Sequence, residues 1–210
     1  IIWHENNKLI FKENKSMRKN INKEKIEGRL FSHTLELKTV KDQNSANFGK
    51  EYIAGNVEIA VDEDGLNVIP VHYTYVTEMT SKGSKNKTFE VLKKIINEGK
   101  DWASCGKENA VFVKAEPSLA LTEFYKDDDT LVSVKANEGG FISFVTSLEK
   151  NEAARNIFEV DMLITNVNVV EPDEEKHIDK KYAEIQGAIF NFKNDLLPVS
   201  FVVRDEAGIN

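Results

Sequence analysis

Apolar and polar residues alternate along most of the chain. In residues 29–40, RLFSHTLELKTV, Phe31, His33, Leu35 and Leu37 share one side and Ser32, Thr34, Glu36 and Lys38 the other, the period-two pattern of a half-buried strand. After the polar stretch KDQNSANFGK, the run YIAGNVEIAV puts Ile53, Gly55, Val57, Ile59 and Val61 on one face, with Gly55 free to permit a tight bend. DEDG turns the chain, and NVIPVHYTYV alternates Ile69, Val71, Tyr73 and Tyr75 against Pro70, His72 and Thr74. These runs predict a three-stranded meander with long loops.

Helical spacing appears around TFEVLKKIINEG, with Thr88 as the expected N-cap, Val91, Leu92, Ile95 and Ile96 as the apolar stripe and Gly99 as the C-cap. Strand patterns resume at AVFVKAE, LALTEFY, TLVSVKA and GGFISFVT, divided by Pro117, the turn KDDD and the pair Gly139–Gly140. Residues 157–170 and 182–204 read as further strands around the charged segment EPDEEKHIDKK. The chain is therefore expected to be mostly β. Three meandering strands, a helix and two more strands is the element order of the OB-fold, a five-stranded Greek-key barrel. The expected barrel domain spans residues 17–135, its strands beginning at residue 29, and a second β-rich, OB-like module spans 136–210.

YIAGNVEIAVDEDGLNVIPVHYTYV is echoed in EIQGAIFNFKNDLLPVSFVVR, which matches Ile53 with Ile185, Gly55 with Gly187, Pro70 with Pro198 and Val71 with Val199. The echo predicts two related β-modules in tandem. Residues 1–16 lack the apolar core and cleavage site of an export signal and read as translated leader before Met17. The final run PVSFVVRDEAGIN stops just after a strand pattern, so the second module reads as cut short.

GNVEIAVDEDGLNVIPVHYTYV and LTEFYKDDDTLVSVKANEGGF resemble the OB-fold single-stranded DNA-binding proteins of bacteriophages and mobile elements of low-GC bacteria. The resemblance implies a non-catalytic accessory protein of DNA replication or recombination, acting in the bacterial host cytoplasm without a cofactor. Its partners would be single-stranded DNA and replication or recombination proteins, with homo-oligomerisation left open. The acidic C-terminal tail by which many such proteins recruit partners is not visible in this sequence.

Charge changes the picture in one place. The 210-residue chain carries a net charge of -7 and a pI near 5.3, which argues against bulk electrostatic binding of duplex DNA. Between residues 80 and 107, however, Lys82, Lys85, Lys87, Lys93, Lys94, Lys100 and Lys107 face only Glu90, Glu98 and Asp101, a local excess of four positive charges. A Gly- and Ser-containing loop lets ammonium groups follow a phosphate backbone; the plainer reading is a solvated surface. Base stacking needs aromatics as well, worth roughly 1–3 kcal/mol per base. The candidates are Phe48, Tyr52, Tyr73, Tyr75, Trp102, Phe124 and Tyr125. Of these, Tyr73 and Tyr75 share a face with Ile69 and Val71 and fit a core as well as a platform. The expected interface is Lys82, Lys85, Lys87, Lys100, Trp102, Phe48, Tyr52, Tyr73, Tyr75 and Tyr125.

Signals for an enzyme are weak. The lone Cys105 excludes an internal disulfide and a cysteine-based zinc cage, and His4, His33, His72 and His177 lack metal-site spacing. His33 reads as a structural residue, and DEDG and KDDD as turns. The chain has no P-loop, nucleophile elbow or dinucleotide turn, and no apolar run near the roughly 20 residues of a membrane helix. No metal and no catalytic residue are expected. A virion component or adaptor working through β-rich surfaces is the alternative from another class.

Overall fold

The computed structural model describes residues 20–126, 129–175, 177–191 and 195–204. The expected leader, residues 1–16, lies outside them. The first strand pattern divides in two. β1 (Asn22–His33) begins earlier than the alternation predicts, and β2 (Glu36–Thr39) follows after a break at Thr34–Leu35. Leu35 is buried there, whereas Leu37 on β2 is exposed. The break lies against β3 (Glu51–Ala60), where a Cβ on Gly55 would overlap the Thr34 carbonyl oxygen. Gly55 also sits at φ 134°, so both space and backbone conformation require glycine.

β3 runs antiparallel to β4 (Val68–Thr77), from Ala60 opposite Val68 to Tyr52 opposite Thr77. β5 (Phe112–Tyr125) and β6 (Leu131–Val145) form a second, longer hairpin. β1 pairs antiparallel with both β3 and β5, and β6 meets β4 in parallel at Glu138 and His72. Five strands therefore close in the ring β1-β3-β4-β6-β5-β1, with α1 (Lys87–Glu98) inserted in the chain between β4 and β5. That ring and insertion are the OB-fold arrangement.

The ring encloses Ile26, Leu30, Ile53, Val57, Val71, Tyr73, Val113 and Ile142, and α1 adds Phe89, Leu92 and Ile95 to the same core. Burying each such side chain stabilises by roughly 1.5–3 kcal/mol. The cap of α1 differs from expectation. Asn86 is the N-cap and its side chain accepts from Thr88 N, while Thr88 is buried in the first turn with its hydroxyl 3.4 Å from Gly140 O. Gly99 closes the helix at φ 54°, as the sequence predicts.

Pro117 and the Gly139–Gly140 pair do not separate four strands. They lie opposite each other within two: Glu116 pairs with Phe141 and Ser118 with Glu138, so Pro117 alone faces both glycines. Gly139 and Gly140 adopt φ 64° and 80°, and a Cβ on Gly140 would overlap Glu116 O. Two local turn signals thus combine into one corner, beyond which Ser118–Tyr125 and Leu131–Glu138 extend the hairpin as an arm. The expected boundary at residue 135 falls inside β6.

β7 (Asn156–Val160) joins the edge of β1, and β8 (Met162–Val170), β9 (Tyr182–Phe190) and β10 (Leu196–Val203) form a separate three-stranded sheet. Its buried Ile189, Leu197 and Val199 pack with Phe158 and Val160 of β7 and with Leu119 and Leu121 of the arm. The echo survives in one respect. A Cβ on Gly187 would overlap the Leu163 carbonyl, as Gly55 meets that of Thr34. The register differs, because Gly55 lies opposite Tyr73 whereas Gly187 lies opposite Val199, the counterpart of Val71. Among the described residues the second module is an open sheet.

Candidate nucleic-acid interface

The outer face of the β3–β4 hairpin carries the candidate site. Simple alternation puts Tyr73 and Tyr75 on the same side, but the ladder slips between them. Ile53 pairs with Val76 and Gly55 with Tyr73, so Thr74 and Tyr75 together oppose Ala54. This bulge turns Tyr75 outward, 47% exposed, and leaves Tyr73 fully buried in the core. Tyr73 is therefore no stacking platform. Burial pushes its phenol well above the usual range, and its hydroxyl has no hydrogen-bond partner among the described residues.

Tyr75 meets Tyr52 across the strands, with ring centroids 4.7 Å apart at 40°. Farther along the face, Asn56 pairs opposite His72, with its side-chain oxygen against the ring Nδ1. Thr74 donates to Glu138 of β6 at 2.9 Å. A groove of about 490 Å³ continues from Asn56, Pro70 and His72 onto Leu119, Val134 and Asn137 of the arm. Alternation contains these polar positions, but only the closed ring brings His72 beside Glu138, so their grouping was not anticipated.

Two loops border the tyrosine pair. The turn between β2 and β3 is closed by Gly49 N donating to Val40 O at 3.0 Å, and it presents Phe48, 54% exposed, four residues before Tyr52. After β4, residues 78–86 form a miniature hairpin: Met79 bridges Lys85, Thr80 N donates to Ser84 O at 2.8 Å, and Asn86 N donates to Glu78 O at 2.8 Å. Lys82 and Lys85 project from it into solvent, and Lys87, which opens the helix, is exposed as well. None of the three has an acidic partner among the described residues. Lys93 and Lys94 on α1 are engaged instead, with Glu51 at 3.7 Å and Glu98 at 3.6 Å respectively.

Trp102 and Lys100 fall elsewhere. Trp102 opens α2 (Trp102–Cys105), packs against Phe31 with centroids 5.7 Å apart, and lies on Gly65 in the turn joining β3 to β4. That turn is the opposite end of the hairpin from Tyr52 and Tyr75. The eight residue-to-residue steps from Tyr52 to Ala60 span roughly 26 Å at about 3.3 Å each. Lys107 lies 5.6 Å above the Trp102 ring and 3.3 Å from Glu63, whose carboxyl is held below its usual range first by the Lys107 hydrogen bond. Lys100 sits near this cluster, its carbonyl accepting from Val111 N at 3.1 Å. Tyr125, 70% exposed, stands near the tip of the arm, and the Phe124 side chain lies outside the described residues. The structure thus gathers Phe48, Tyr52, Tyr75, Lys82, Lys85 and Lys87, and separates Trp102, Lys100 and Tyr125 from them. His33 Nδ1 accepts from Leu35 N at 3.3 Å, a structural contact in keeping with its sequence reading.

A family model described as YorF matches residues 20–210. The chain belongs to the YorF family. No curated protein matches the sequence of this YorF-family chain. Among solved structures it is similar to a deletion mutant of the single-stranded DNA binding protein from Thermus aquaticus, at 15% identity and a TM-score of 0.44, over 90% of the YorF-family chain and 78% of that chain. Among the described residues no helix is long and apolar enough to cross a membrane, and no group of three or more His, Cys, Asp or Glu is placed to hold a metal.

Proposed function

We propose that this YorF-family protein binds single-stranded DNA, without catalysis, on the outer face of the β3–β4 hairpin. The observation that carries this reading is the Tyr52–Tyr75 pair, half-buried at Tyr52 and exposed at Tyr75, beside Lys82, Lys85 and Lys87, which have no acidic partner among the described residues. Aromatic faces stack on bases of any sequence, and nearby ammonium groups meet the phosphates while releasing counterions. Phe48 extends the stacking surface, and the groove past His72 leads the strand toward the arm and Tyr125. Asn56 and His72 supply donors and acceptors to base edges along that path. The biological setting we favour is phage or mobile-element DNA replication or recombination, as an accessory protein in the host cytoplasm.

The test is binding of fluorescent oligo(dT) at several salt concentrations. Alanine at Lys82, Lys85 and Lys87 together should reduce the log–log salt slope by about 2, at about 0.7 per lost phosphate contact. Alanine at Tyr52 or Tyr75 should weaken binding by roughly 1–3 kcal/mol with the slope nearly unchanged. If the folded wild type does not bind oligo(dT) even at low salt, the reading is wrong and a structural or adaptor role takes its place.

A further inference from the structure

Conditional on the DNA-binding reading above, we propose that Asn22 is a positioning residue for the groove: its side chain fixes the arm against the second module, so that docking of that module and binding of the strand favour each other. The β1–β5 ladder ends at Ile26 opposite Ala115, and Pro117 follows. Continued past that corner, its register would bring Asn22 opposite Leu119, but there the backbone of β1 pairs with β7, with Asn22 opposite Val160. The Asn22 side chain takes over the missing pairing. Its Nδ2 donates to Leu119 O at 2.9 Å and its Oδ1 accepts from Leu119 N at 3.0 Å, the two bonds a neighbouring strand would make. Nδ2 also donates to Phe190 O of β9 at 3.2 Å.

One amide therefore joins the barrel, the arm and the second module. Its nitrogen faces two carbonyl oxygens and its oxygen faces an N–H, so only this orientation of the amide satisfies all three groups. The residue before it adds a second tie. Ile21 N donates to the Asp161 carboxylate and Asp161 N to Ile21 O, each at 2.8 Å, and Asp161 is the single residue between β7 and β8. Leu119 is where these ties reach the groove. It lines the groove with Asn56 and His72, and it also packs on the buried cluster of Ile189, Leu197 and Val199 in the second module. On the groove side the arm meets β4 at its root, where Glu138 pairs with His72 and accepts from Thr74. Beyond that root, the second module braces the groove wall from behind. Coupling of this kind is reciprocal: whatever docking of the module gives to strand binding, strand binding returns to docking.

The experiment is hydrogen exchange on the 210-residue chain with and without saturating oligo(dT), alongside binding isotherms. In the wild type the oligonucleotide should slow exchange in β3 and β4, where it lies, and also in β9 and β10, which it does not touch. Asn22→Ala should keep the first protection and lose the second. Its affinity for oligo(dT) should fall by about 2- to 30-fold, the range of substitutions that act through a coupling network. The salt slope should stay unchanged, because no phosphate contact is removed. Leu197→Ala thins the cluster that holds Leu119 and lines no part of the groove, so it should act in the same direction, and it carries the test if Asn22→Ala does not fold. A purely structural Asn22 would lower the melting temperature and leave both the affinity and the remote protection at wild-type values. That result overturns the inference, as does protection confined to β3 and β4 in the wild type. A folded wild type that binds no oligo(dT) is a different outcome, since it removes the DNA-binding reading and this inference with it.

Discussion

Replacing Tyr73 with phenylalanine should make the protein more stable. The ring is fully buried among Val57, Val71 and their neighbours, and its hydroxyl finds no partner among the described residues. A hydroxyl taken out of water without a hydrogen bond costs about 1–3 kcal/mol. Deleting it leaves a void of the order of 10 Å³, which at about 24 cal/mol per Å³ forfeits only about 0.2 kcal/mol. The net gain is therefore about 1–3 kcal/mol, an upward shift of about 2–12 °C in Tm for a chain of this size. Differential scanning calorimetry would read the shift, and a urea midpoint at 25 °C would check it without the temperature extrapolation. Tyr73→Ala, which empties the whole site, should instead cost about 3–5 kcal/mol. Tyr75→Ala, only two positions away, should change stability by less than about 1 kcal/mol, because the bulge has turned that ring outward. A lower midpoint for Tyr73→Phe would mean that the hydroxyl is satisfied in the folded protein and the argument fails.

Gly140→Ala should destabilise by more than about 2 kcal/mol, since its Cβ would overlap Glu116 O at a φ of 80°, and chemical denaturation would measure it. Trp102→Ala should lower the melting temperature through lost contacts to Phe31 and Gly65 while leaving oligo(dT) affinity within about threefold, because the ring lies away from the tyrosine pair. Glu24→Gln should be stabilising near pH 8 and less so toward pH 4. Burial raises the Glu24 carboxyl above its ordinary value near 4.5, with an Asn156 hydrogen bond pulling the other way, so the folded state is penalised as pH rises through the native pKa. Melts of the wild type and the variant at both pH values would show whether the difference widens with pH.

The strands and the helix were legible because period two and period 3.6 are local properties of the chain. What was not legible depends on the partner across a ladder. Nothing near Tyr75 announces the bulge, which arises where β4 meets the Gly55 bend of β3. Pro117 and Gly139–Gly140 each read as a strand break, yet placed opposite one another they only bend a continuous hairpin. Thr88, the expected N-cap, is buried in the first turn beside Gly140, and Asn86 two residues earlier caps the helix instead. The lysine run was visible as charge, but the helix carries Lys100 away from Lys82, Lys85 and Lys87 and delivers Trp102 to the far end of the β3–β4 hairpin. Asn56, His72 and Glu138 sit 16 and 66 positions apart in sequence and meet only through the parallel contact that closes the ring.

The threefold pairing of β1 governs how this protein comes off the ribosome. Its partners are Val57–Ala60 nearby, Phe112–Ala115 some 89 positions downstream when counted from Ile26 to Ala115, and Asn156–Val160 some 138 positions downstream when counted from Asn22 to Val160. At roughly 5–20 residues per second, β1 waits about 7–28 s after its own synthesis before its last partner exists. During that interval Ile26 and Leu30, both fully buried in the finished barrel, have no complete core to enter. Such long-range closure predicts slow folding and a nascent chain prone to aggregation, with β1 as the segment most dependent on a chaperone.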